Sequence, residues 1–154
     1  MRQGLKPIGP KPDIPGNCVP MALEAVTGYP AETWLDEIRR FDPSACSTAV
    51  AGVSPTLYIR LMVSRGAYPI FYPQPVPLHK ACADLHGCRA LLCIKATAQF
   101  SHAIAAQGFM VVDNGSMKPA WYADWIADWK SRNWIEYEAR RRPIRVLFSL
   151  VIPE

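Results

Sequence analysis

Cys18, His102 and Asp113 are the residues of this 154-residue chain whose types and placement can do chemistry together. A thiol attacks a carbonyl only after it ionises. The amino end of a helix favours the thiolate, because unpaired N–H groups and the helix dipole stabilise negative charge there. An imidazole beside the sulfur adds to that effect and can later protonate a leaving group. A carboxylate on the far ring nitrogen fixes the tautomer and orientation of the imidazole. That set is the chemistry of nucleophilic acyl transfer.

The elements that must position these groups can be read locally. Val19, Ala22, Leu23 and Val26 recur at helical spacing, so Cys18 stands at the amino end of a short buried helix. Pro20 is tolerated in an opening turn, and Gly28 suits the residue after the last one. For the histidine, Gln107-Gly108 predicts a two-residue hairpin turn that pairs Ala106 with Phe109. Counting back from that pair sets His102 directly opposite Asp113, with Cβ atoms about 4.5–5.5 Å apart. The same register sends Asn114 to the other face. Both faces of the hairpin are apolar, as in an interior strand pair, with His102 at its end.

The remaining elements frame these two. Residues 1–16 read as an extended proline-rich arm. Further helices are predicted from Ala31 to Arg40, from Ser54-Pro55 to Gly66, and from Leu78 to Leu85. Strands are predicted at Ala90 to Lys95, Ser101 to Ala106, Phe109 to Asp113 and Arg145 to Ile152. Trp121, Trp125 and Trp129 give a helix an aromatic face, read as an anchor to the core. Helices first and strands later imply a single α+β domain over 1–154, with N-terminal helices packed on a C-terminal antiparallel sheet.

The string Gly16-Asn17-Cys18-Val19-Pro20-Met21-Ala22-Leu23, followed by Ser101-His102 and Val111-Val112-Asp113-Asn114, resembles the papain-like cysteine peptidase superfamily. The nearest flavours are small bacterial and phage-encoded peptidases, bacteriocin-leader peptidases and ovarian-tumour-type deubiquitinases. The resemblance implies a nucleophile helix against an antiparallel sheet and a thioester intermediate, with Cys18, His102 and Asp113 as the catalytic residues. It implies a protein or peptide substrate and no cofactor or metal. Such enzymes often carry a glutamine several residues before the cysteine as an oxyanion donor, and none lies between Lys6 and Cys18. The Cys18 N–H remains as one donor, with Asn17, or a group from Lys11 to Asp13, as candidate for the other. That departure motivates an alternative, a catalytically silent papain-like protein that sequesters a host or partner factor.

Other features read more simply. His79, Cys82 and His86 share a helical face and could bind zinc, but no paired CxxC is present and Leu78, Cys82 and Leu85 make an ordinary core stripe. Arg140-Arg141-Arg142 reads as a solvated edge that discourages strand pairing. A net charge of +4 argues against a dedicated nucleic-acid partner. Five cysteines cannot form a complete disulfide set, so free thiols in a reducing compartment are expected. No apolar run is long enough for a signal peptide or a membrane span, so the expected location is the cytoplasm.

Overall fold

The computed structural model describes residues 4–49, 51–96, 100–132 and 134–153. Helices α1 (Cys18–Thr27), α2 (Ala31–Arg39) and α3 (Pro55–Ser64) come first, followed by strand β1 (Tyr68–Pro77) and helix α4 (Leu78–Asp84). Strands β2 (Arg89–Lys95), β3 (Ser101–Gln107), β4 (Met110–Val112) and β5 (Ala120–Trp121) lead into α5 (Tyr122–Ser131), α6 (Tyr137–Arg141) and β6 (Arg145–Val151). Among the described residues this is an α+β fold of six helices and one six-stranded sheet, ordered β1-β6-β2-β3-β4-β5 with every pairing antiparallel.

The helices divide between the two faces of the sheet. Leu91, Cys93, Ala103, Ala105, Phe148 and Leu150 pack beneath α1, α2 and α3. Leu92, Ile94, Ile104, Ala106 and Val146 pack against α4 and the tryptophans of α5. Strand alternation explains the split, since neighbours in β2 and β3 point to opposite faces. The expectation of helices before strands is therefore too simple. β1 precedes α4, and α4 to α6 follow or interrupt the strands rather than leading them.

β1 was not legible as a strand because Pro69, Pro73, Pro75 and Pro77 remove ladder donors. It is tolerated at the sheet edge, pairing only with β6, and its register shifts between Phe71 and Val76. The N-terminal arm lacks helix or strand but lies on the body. Ile8 and Ile14 are buried, and the Lys6 and Ile8 N–H groups donate to Ala25 and Met117 carbonyls. The arginine run does not guard a strand edge. Arg140 and Arg141 close α6, Arg140 donating to the Ile135 and Arg132 carbonyls, and Arg142 lies 3.6 Å from Glu138. Among the described residues no helix is long and apolar enough to cross a membrane.

Candidate active site

Cys18 is the first residue of α1, half-buried, with Val19 and Met21 to Leu23 in the core behind it. Gly16 turns the chain into the helix at φ +54°, and a Cβ there would stand 2.9 Å from the Thr48 carbonyl oxygen. Only glycine fits that approach. Pro20 occupies the opening turn, where its missing N–H has no intrahelical partner to lose.

His102 comes from the start of β3. The hairpin turn is Gly108-Phe109 rather than Gln107-Gly108, so Gln107 pairs with Met110 and Ala105 with Val112. Gly108, at φ +55°, takes the first loop position instead of the second. The register is thus two residues from the one expected, and Asp113 follows β4 past the last ladder pair rather than facing His102 squarely. A slip of two preserves the side-chain face. His102 Nε2 accordingly reaches Asp113 Oδ2 at 2.9 Å, with both side chains buried.

Cys18 completes the line. Burial pushes its thiol pKa up, but the His102 hydrogen bond, the His102 charge and the Ala103 and Val19 N–H groups outweigh it and hold the thiol below its ordinary value. Burial likewise works against the His102 imidazolium, yet Asp113 and Cys18 raise its pKa to about 9. With Nε2 on Asp113, Nδ1 is the ring nitrogen left to serve the sulfur. A thiol pushed down beside an imidazole pushed up is the combination that favours a thiolate–imidazolium pair. Three of the other cysteines differ: burial raises Cys46 to about 11 and Cys82 to about 12, and Cys93 is raised as well.

Asp113 is held by more than the histidine. Arg132 forks onto it, with Nη1 donating to Oδ2 at 2.6 Å and Nη2 to Oδ1 at 2.8 Å. Trp125 Nε1 and the Ser116 N–H donate to Oδ1 at 3.2 and 2.9 Å. Burial opposes the carboxylate, but these donors and charges hold Asp113 far below the usual carboxylate range. Arg132 is fixed in turn by Asp128 at 2.7 Å and lies over the Trp129 ring. Gly115 makes room, since a Cβ there would fall 2.5 Å from Arg132 Nη1. Trp129 packs on the imidazole itself, centroids 4.8 Å apart. The tryptophan face therefore anchors α5 through Trp125 and Trp129 and also braces His102, while Trp121 lies outside the helix, half exposed.

Arg132 carried no sequence signal beyond its spacing from Asp128, because its partner lies on a loop 19 residues away. Asn17, the oxyanion candidate, is at the cleft with its side chain bridging Lys11 and Asn114. Its Nδ2 donates to the Lys11 carbonyl at 3.0 Å and its Oδ1 accepts from Asn114 Nδ2 at 2.8 Å. Each amide has a second N–H, so Asn114, expected on the face away from His102, joins Asn17 as a donor on the cleft that Cys18 and His102 share. The Cys18 sulfur opens into a cleft of about 440 Å3 bordered by Asn17, Asn114, Phe100 and Trp134. A larger hollow of about 690 Å3 beside α3 has no cysteine or histidine on its walls. Leu78, Cys82 and Leu85 are buried as a core stripe, and among the described residues no group of three potential ligands is placed to hold a metal. Searches against known proteins find no matching family model, curated protein or solved structure.

Proposed function

We propose that this chain is a cysteine-dependent hydrolase of papain-like design, cleaving an amide or isopeptide bond in a protein or peptide. The observation that carries the reading is one continuous line of hydrogen bonds, from the depressed Cys18 thiol through His102 to Asp113 at 2.9 Å. The placement of α1 against an antiparallel sheet supports the same reading. In the mechanism, the Cys18 thiolate adds to the substrate carbonyl. The resulting oxyanion is met by the Cys18 N–H and a free N–H of Asn17 or Asn114. His102 hands its proton to the departing amine, leaving a thioester on Cys18. It then takes a proton from water, which releases the acid. Asp113 keeps the imidazole oriented throughout, without itself changing protonation.

An electrophilic thiol probe mapped by mass spectrometry tests this. Labelling should concentrate on Cys18, leave Cys46, Cys82 and Cys93 untouched, and fall at least tenfold, an order-of-magnitude expectation, in His102→Ala. Slow, even labelling of all five cysteines would reject the proposal. A silent binding protein is the second reading, favoured by the N–H that Asn17 spends on the Lys11 carbonyl. It predicts that Cys18→Ala leaves the biological effect intact.

A further inference from the structure

We propose that the His102 side of the cleft is a subsite for a large apolar or aromatic side chain on the departing amine. This rests on the hydrolase reading, because that reading decides which side is which. The amine must collect its proton from His102, so the departing half of the substrate lies along the wall that carries the imidazole. That wall holds Phe100, two residues before His102, and Trp134, whose ring centroid is 5.9 Å from the imidazole. Both are large rings left 51% and 55% exposed. The opposite wall, around the entry to α1, is built from Gly16, Ala49 and Gly52 and offers no ring.

Trp134 is not a loose surface side chain. It stands edge-on to Trp129 at 4.9 Å, and Trp129 is buried and packed on His102. A ring held on such a base, on the border of the cleft and half exposed, is a fixed apolar wall. Covering it recovers apolar surface that otherwise faces water, and a flat side chain does so with favourable ring geometry. Glu136 is the carboxylate on this border, and it makes a cationic side chain the competing choice. The two rings outweigh it, because Glu136 is exposed to solvent that screens its charge.

The test uses acyl transfer from a small activated ester. p-Nitrophenyl acetate acetylates Cys18 and releases p-nitrophenolate. Phenylalaninamide, alaninamide or lysinamide then competes with water for the thioester. In that step the α-amine forms the new C–N bond, its proton passes to His102, the C–S bond breaks and the thiolate returns. The yield of each N-acetyl amide relative to acetate is read directly. Phenylalaninamide should intercept about tenfold better than alaninamide, and Trp134→Ala should cut that ratio to about twofold, with Phe100→Ala acting in the same direction. A wild-type ratio near one, or lysinamide ahead of phenylalaninamide, overturns the subsite while leaving the hydrolase reading standing. Phenolate release that does not depend on Cys18 overturns both.

Discussion

At the scale of single residues, the site works by opposed burial and charge. Desolvation alone would neutralise Cys18, His102 and Asp113, yet each is pushed toward its charged form by its neighbours. Arg132 is the outermost of these neighbours, and it shares the Asp113 charge with the histidine. Removing it leaves His102 as the remaining ion-pair partner of Asp113 among the described residues. Arg132→Met should therefore move the His102 titration, followed by NMR, further above the ordinary imidazole range than in the wild type. It should also cost about 3 kcal/mol of stability in denaturant unfolding, as a buried pair loses one partner. A downward shift would show that Arg132 does not act through Asp113. Cysteine, histidine and aspartate were legible as a set because their chemistry is specific. Arg132 was not, since nothing in its local spacing points to a loop carboxylate, and the vacancy at Gly115 that admits it shows only in three dimensions.

At the scale of elements, the hairpin shows what sequence arithmetic can and cannot deliver. Face survived and register did not. Alternation fixes which residues share a side, whereas the choice between first and second loop position for Gly108 depends on which of two glycine-compatible turns closes. The reach from His102 to Asp113 tolerates the slip because the carboxylate follows the ladder's end. β1 was hidden by its prolines, which only an edge position makes acceptable. The start of α1 depends just as closely on one backbone shape. Gly16→Ala would combine a positive φ with a contact to the Thr48 and Gly52 backbones, neither of which can swing away. It should lower stability by about 1–3 kcal/mol, and slow probe labelling of Cys18 more than that of Cys88. Melting curves alongside labelling rates check both effects, and an unchanged Cys18 rate would contradict the link between this turn and the thiol.

At the scale of the molecule, one sheet joins two apolar layers, and the charged line of the site crosses it at one end. Stability and site chemistry are therefore linked through pH. Asp113 is ionised in the fold well below the pH at which the unfolded chain binds its proton, about 3.9. Its contribution is present above that value and lost as the pH falls through it and beyond. The difference in unfolding midpoint between the wild type and Asp113→Asn should narrow as the pH drops from about 6 to about 3. A difference that stays constant would mean that Asp113 carries no linked charge. The most direct measurement of the whole account is the ultraviolet thiolate titration of Cys18, taken as the wild type minus Cys18→Ala. Ionisation below the ordinary thiol value of about 8.5, shifting above it in His102→Ala, is the predicted result. A Cys18 thiol that titrates at or above that value in the wild type would contradict it.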